Sequence, residues 1–176
     1  LKHTNCYSYA FNYIDYGEEK LQPGEIHGTK YTENTCEEII KKMKNDYFKE
    51  KIEKVNYEEK LKNDNYKIAL FFDLDKKRKG TKEHDQDYHF YREDCNIGSD
   101  IKTWSHKPGT NYATNEDASG NVIYDPREAD RNYKKKCERE KKEDCDDEHN
   151  YTEFCGFFSI PLNSKNGPVF RYIERD

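Results

Sequence analysis

The chain has 176 residues and a formal net charge of −5, with 32% hydrophobic and 38% charged residues. This length suffices for one domain spanning residues 1–176, and its 15 tyrosines and nine phenylalanines must supply much of the core. The sequence has no basic stripe with interleaved aromatics, which argues against nucleic-acid binding. It also has no apolar run of membrane-spanning length, so we expect no membrane span.

The cysteines leave the redox state of the chain open. The six are Cys6, Cys36, Cys95, Cys137, Cys145 and Cys155. No two have the Cys-x-x-Cys spacing typical of zinc knuckles, and we infer no metal or cofactor. An even count fits three disulfides in a secreted protein, but also one reactive thiol with two disulfides and a spare, or six thiols in a cytosol. The glycosylation pattern Asn150-Tyr-Thr hints at a secreted or extracytoplasmic chain.

The first predicted element is a helix at the N-terminus. Thr4 or Asn5 can cap it, and its inward side includes Tyr9 and Ala10. Cys6 then lies in the first helical turn, where backbone N–H groups and the helix dipole favour the thiolate. The alternative for Cys6 is a small buried residue or one half of a disulfide.

A second helix is predicted from Thr35 onward. Thr35 and Glu38 have the spacing of a capping box, and an apolar stripe runs from Ile39 to Tyr47. The charged run 48–65 is expected to continue as helix or as polar loop, with its lysines and glutamates on a solvated face.

The middle of the chain predicts an antiparallel sheet of about four to six strands. Two of its strands carry histidines: His89 lies in an alternating aromatic run, and His106 ends a short strand before Pro108-Gly109. A turn at 96–100 would join them as a hairpin and bring the two histidines together. The predicted strands are Ile68–Phe72, Tyr88–Arg92, Thr103–His106 and Phe154–Ile160.

The region before the last strand is predicted to be mostly surface. A short strand is expected at Val122–Tyr124, and a short helix should begin near Pro126. The dense charges at about 133–149 indicate a surface insertion. Its two cysteines, Cys137 and Cys145, are close enough in sequence to form a disulfide that would pin it.

This order of elements resembles the papain-like cysteine hydrolases, in the compact form of the NlpC and CHAP cell-wall amidases. In Asn-Cys-Tyr-Ser-Tyr-Ala, Cys6 would be the nucleophile. In Asp-Tyr-His-Phe-Tyr, His89 would be the base, and in Trp-Ser-His-Lys-Pro-Gly, His106 would orient it. The resemblance covers roughly residues 5–160. It implies an α+β fold whose central antiparallel sheet has the N-terminal helix packed on one face.

Two functions from different classes follow. The resemblance implies a cysteine peptidase or amidase that acts on a peptide or peptidoglycan-like amide. The alternative is a secreted, disulfide-stabilised recognition or adhesion module with a protein partner, including a catalytically dead relative of the hydrolases. A permuted hydrolase with Cys155 as nucleophile ranks lower, because a strand and not a helix follows Cys155. The chemical state of Cys6 distinguishes the first two.

Overall fold

The described part of the chain is mixed α and β, with one antiparallel sheet and a few short helices. The computed structural model describes residues 4–12, 20–33, 35–46, 51–61, 65–73, 87–94, 101–109, 111–140 and 149–161. The strands are β1 (Glu53–Val55), β2 (Asn65–Phe72), β3 (Tyr88–Asp94), β4 (Thr103–His106) and β5 (Glu153–Pro161). The helices are α1 (Cys6–Ala10), α2 (Cys36–Asp46), α3 (Tyr133–Glu140) and a 3-10 turn at Glu25–His27.

The sheet has five strands in the order β1-β5-β2-β3-β4, and every neighbouring pair is antiparallel. The prediction of an antiparallel sheet is therefore confirmed, and its four predicted strands correspond to β2, β3, β4 and β5. Burial explains the central place of β2, because seven of its eight residues are buried and an edge position would expose one of its sides.

The N-terminal helix forms where its cap predicts it. The Asn5 side chain accepts a hydrogen bond from the backbone N–H of Ser8 at 2.9 Å, which satisfies one of the unpaired donors of the first turn. Tyr7 and Phe11 then pack their rings against Phe90 of β3. Helix α1 is therefore held on one face of the sheet by aromatic contacts.

Helix α2 is capped as predicted and is covalently joined to the sheet. Thr35 Oγ1 accepts from the backbone N–H of Glu38 at 3.2 Å, and Ile39 and Met43 are fully buried. The first residue of α2, Cys36, forms a disulfide with Cys155 in β5, with 5.5 Å between their Cα atoms. This bond connects the layer of helices to the sheet.

The two faces of the sheet carry separate hydrophobic clusters. The first core lies beneath α1 and α2 and includes Tyr7, Phe11, Ile39, Met43, Ile68, Leu70, Phe72, Tyr88, Phe90 and Phe158. The second core lies on the other face and includes Ala69, Phe71, Tyr91, Trp104, Ala118, Ile123, Tyr133, Tyr151 and Phe157. Alternate residues of β2 and β3 divide between the two cores because successive side chains of a strand point to opposite faces.

Some elements differ from the predictions. The run 48–65 contains the edge strand β1, which pairs with β5, where helix or polar loop was expected. The segment after Pro126 is a turn and not a helix, and Val122 forms an isolated bridge with Glu116. The charged region that begins at residue 133 starts with a buried tyrosine, and its described part up to residue 140 forms α3.

The predicted bond between Cys137 and Cys145 lies outside the described residues, because the Cys137 side chain and all of Cys145 are beyond them. In the part of the chain that is described, no helix combines the length and the apolar character needed to cross a membrane.

Candidate functional site

Two buried histidines contact each other on the face of the sheet that carries the second core. His89 is on β3 and His106 is on the neighbouring strand β4. Their side chains are joined by a hydrogen bond of 2.7 Å between His89 Nε2 and His106 Nδ1. His106 is 0% exposed and His89 is 3% exposed, so the pair is interior. The predicted proximity of the two rings is present in the structure.

The surroundings of His106 fix the position of its proton. Its Nε2 lies 3.0 Å from the backbone oxygen of Glu116, and a carbonyl oxygen can only accept a hydrogen bond. Nε2 of His106 therefore carries the proton. In the neutral ring Nδ1 must then accept, so His89 Nε2 is the donor in the bond between the rings.

Burial keeps both rings neutral. It lowers the pKa of His106 to about 4, although the hydrogen bond to the Glu116 carbonyl favours the charged form and opposes this shift. Burial also lowers the pKa of His89 well below its usual value, and the positive charge that His106 would carry adds to the effect. At neutral pH, His89 Nε2 consequently donates to His106 Nδ1, and His106 Nε2 donates to the Glu116 carbonyl.

A stack of aromatic rings connects this pair to a more polar cluster. The Tyr151 ring stacks on His89 at 4.9 Å and on His149 at 5.5 Å, measured between ring centroids. His149 Nδ1 lies 3.0 Å from Asp73 Oδ2, and the Tyr151 hydroxyl donates to Asp87 Oδ2 at 2.7 Å. These carboxylates lie at the end of β2 and just before β3.

Cys6 lies in the first turn of α1, as predicted, but on the opposite face of β3 from His89. Its thiol donates a weak hydrogen bond to the backbone oxygen of Tyr88 at a sulfur–oxygen distance of 3.8 Å. The half-buried Cys6 packs against the first core, which contains Tyr88 and Phe90, the two neighbours of His89 along the strand. The structure brings His89 and His106 together but does not bring Cys6 to them.

The described groups near Cys6 include tyrosines and amides. Burial and the negative charges of Asp87 and the Cys6 thiolate form raise the pKa of Tyr31. The Tyr88 hydroxyl donates to Gln22 Oε1, and Asn5 Nδ2 donates to the backbone oxygen of Leu21 at 2.5 Å. These bonds hold Leu21 and Gln22 beside Asn5 and Tyr88, the residues next to the thiol.

Several residues that surround the histidines could not be predicted from local patterns. Tyr133 was assigned to a surface insertion, yet its hydroxyl lies 3.3 Å from His106 Nε2. Tyr151 stacks on His89 and His149 stacks on Tyr151, and both precede β5, so only the fold brings them near the pair. Within the described ranges no cluster of three or more His, Cys, Asp or Glu side chains is arranged to hold a metal ion.

Comparison with known proteins connects the chain to one named relative. No family model matches the chain, and no solved structure matches it. The chain is similar to insoluble matrix shell protein 1 of Ruditapes philippinarum, with 35% identity over 130 residues. The matched region is 74% of this chain and 72% of the relative. At this identity and coverage, the chain belongs to the family of insoluble matrix shell protein 1.

Proposed function

We propose that the chain is a secreted, disulfide-stabilised structural module of an extracellular matrix, with no catalytic role of its own. The main observation in support of this function is the Cys36–Cys155 disulfide. Structural disulfides persist in oxidising compartments and are rare in reducing ones. The name of the relative, a matrix shell protein, supports the same assignment.

The placement of the histidines also favours a structural role. A general base must reach the proton that it removes, directly or through one water. His89, the predicted base, is 3% exposed and its Nε2 is hydrogen-bonded to His106, which is itself completely buried and bonded to the Glu116 carbonyl. The pair therefore bonds to the protein itself and stabilises the second core.

A cysteine hydrolase of peptide or other amide bonds is the second candidate. Two observations favour it: the bond between His89 and His106, and the location of Cys6 in the first turn of α1. Catalysis would require the imidazole of His89 to take the proton of Cys6, and β3 separates these two side chains. The hydrolase thus needs a rearrangement of β3 that the structural module does not need.

Thiol chemistry separates the two candidates. The native protein would be alkylated with iodoacetamide at pH 6 to 8, and the modified cysteines would be located by mass spectrometry. For a structural module we expect Cys36 and Cys155 to be protected as a disulfide, and Cys6 to react at the same rate in wild type and His89→Gln. For a hydrolase, Cys6 reacts fast at neutral pH and slows in the variant, because the imidazole stabilises the thiolate.

Activity and location complete the test. A hydrolase would cleave peptide or amide substrates and lose this activity in Cys6→Ala and His89→Ala, with a loss of about 10- to 100-fold in His106→Ala by analogy with orienting residues elsewhere. His27→Gln, at an exposed position, is the control.

A structural module has no such activity, and an antibody detects it in the insoluble extracellular fraction of the source organism. Detection confined to the cytosol would overturn the proposed function.

A further inference from the structure

The histidine pair joins the sheet to the segments that cover its second core. His106 Nε2 faces the Glu116 carbonyl in the segment 111–123 and lies 3.3 Å from the hydroxyl of Tyr133 at the start of α3. The His89 ring is covered by the ring of Tyr151. Three separate pieces of chain therefore contact these two rings, and the two contacts at His106 Nε2 depend on the position of a proton.

Few charged groups are near enough to compensate for a proton on the pair. The titratable or charged groups that face it are Tyr91 from β3, Asp117 from 111–123, Tyr133 and Lys136 from α3, and His149 and Tyr151 from the segment before β5. The positive charge of Lys136 disfavours a proton on His106, and that of a protonated His149 disfavours a proton on His89. Asp117 favours one, but its carboxylate already accepts from the backbone N–H groups of Ser119, Asn121 and Asp130.

A single added proton either disrupts the bond between the rings or places a charge in the interior. A proton on His106 Nδ1 points at the proton that His89 Nε2 already carries, so His89 must change tautomer or the rings must separate. A proton on His89 Nδ1 keeps the bond but places a charge in the interior, and no carboxylate of the described residues bonds to either ring. Both routes weaken the packing of the covering segments.

We propose that the His89–His106 pair is an acid-sensitive latch. In the neutral form it holds the segment 111–123 and α3 against the sheet, and uptake of protons releases them. This goes beyond the structural role proposed above, because it makes the cohesion of the second core depend on pH in the acidic range. The first core, with α1, α2 and the disulfide, contains no part of the pair and keeps its structure.

The direction of the pH dependence follows from the environment of the two rings. Burial lowers their pKa values in the folded state, whereas an unfolded histidine has a pKa of about 6.5. The unfolded chain therefore binds more protons at acidic pH. Stability is complete above a pH of about 6.5 and is lost as the pH falls toward the lower folded values.

His149 has different surroundings and can be separated experimentally. Its ring nitrogens face Asp73 Oδ2 at 3.0 Å and Asp87 Oδ2 at 3.6 Å. A proton on His149 would face two carboxylates, whereas a proton on the buried pair would face none of the described ones. His149→Gln should therefore retain the acid sensitivity that the latch produces.

Urea unfolding at pH 7 and pH 5 tests the latch. Each histidine with a strongly lowered pKa should raise the unfolding equilibrium constant about 20-fold as the pH falls from 7 to 5. The pair should therefore give the wild type a gain of at least about 100-fold in this constant. His89→Gln/His106→Gln should lack this gain, while His27→Gln and His149→Gln should retain it. Equal pH dependence of the double variant and the wild type would overturn the latch.

Two measurements on the wild type keep the test decisive if the double variant does not fold. Nitrogen-15 NMR should find both rings neutral at pH 5.5, each with its proton on Nε2. Hydrogen exchange, corrected for intrinsic pH dependence, should accelerate at pH 5 at the amides of Ala118, Ile123 and Tyr133 before that of Ile39 in α2. Rings that titrate near pH 6.5 in the folded protein, or equal acceleration in α2 and α3, would contradict the latch.

Discussion

Cys155 reaches Cys36 because Cys155 occupies a β-bulge in β5. Gly156 is opposite Leu70 and Phe154 is opposite Phe71, so Cys155 lies between two consecutive partners on β2. Strict alternation from Phe157, which faces the second core, would direct Cys155 to that core as well. The extra residue reverses the alternation. Cys155 consequently faces the first core, where α2 begins, and Phe154 contacts Phe71 and Phe157 on the other side.

Gly156 makes this bulge possible, which gives the first prediction. Its φ of +145° is rarely adopted by residues with a side chain, and an added Cβ would lie 2.7 Å from Lys54 Cε. We expect Gly156→Ala to lower the free energy of unfolding by about 1 to 3 kcal/mol through backbone strain. Urea unfolding measures this loss. The reduced fraction of Cys36 and Cys155 in a glutathione buffer should rise in parallel.

A comparison within a serine background separates strain from bond formation. Gly156→Ala in the Cys36→Ser/Cys155→Ser protein should be less damaging than in the oxidised wild type, because no bond then requires the bulge. Equal losses in the two backgrounds would mean that the bulge does not direct the disulfide.

Removal of the disulfide is the second prediction. The bond joins residues separated by 119 positions, so it restricts the unfolded chain strongly. We expect Cys36→Ser/Cys155→Ser to lower the free energy of unfolding by about 2 to 5 kcal/mol. Chemical denaturation with and without reductant measures it. Cys6→Ser is the matched control, and a reductant effect that persists in the double serine variant would contradict the assignment.

Patterns of neighbouring residues predicted much of the sheet. The bounds of β4 are the predicted ones, and the alternating aromatic run around His89 forms β3. The hairpin brings His89 to His106 because Tyr91 pairs directly with His106 and His89 lies two residues along the same face. Local alternation along the two paired strands was enough for this contact, and the predicted turn at 96–100 lies outside the described residues.

Long-range relationships could not be predicted in the same way. Both faces of β3 are aromatic, so the sequence of β3 does not predict which face α1 covers. In the structure, α1 covers the face of Tyr88 and Phe90. This choice puts Cys6 and His89 on opposite sides. Strand β1 has three residues and acquires its structure from pairing with β5, which its charged sequence did not indicate.

Asn5 provides the third prediction, because its side chain makes two different contacts. Its Oδ1 caps α1 by accepting from Ser8, and its Nδ2 donates to the Leu21 carbonyl. Asn5→Ala should lower the free energy of unfolding by about 1 to 2 kcal/mol, and Asn5→Asp should lose less because aspartate retains the cap. Thermal or urea unfolding of both variants measures the difference. Equal stability of Asn5→Ala and wild type would show that the cap contributes nothing.

Asp117 gives the last prediction, because its carboxylate organises the segment that presents the Glu116 carbonyl to His106. Asp117 Oδ1 accepts from the backbone N–H groups of Ser119 and Asn121, both at 2.9 Å, and Oδ2 accepts from that of Asp130 at 3.0 Å. Asp117→Asn replaces one acceptor oxygen by an N–H₂ group that points at another donor. We expect a loss of about 1 to 3 kcal/mol in the free energy of unfolding.

The matched control is Glu116→Gln, since the Glu116 side chain is exposed and only its backbone carbonyl contacts His106. This variant should change stability by less than about 0.5 kcal/mol. Asp117→Asn should also change the NMR signal of His106 Nε2, because a displaced Glu116 carbonyl lengthens the hydrogen bond to that nitrogen. An unchanged His106 signal together with a normal unfolding free energy would mean that the segment keeps its position without the Asp117 carboxylate.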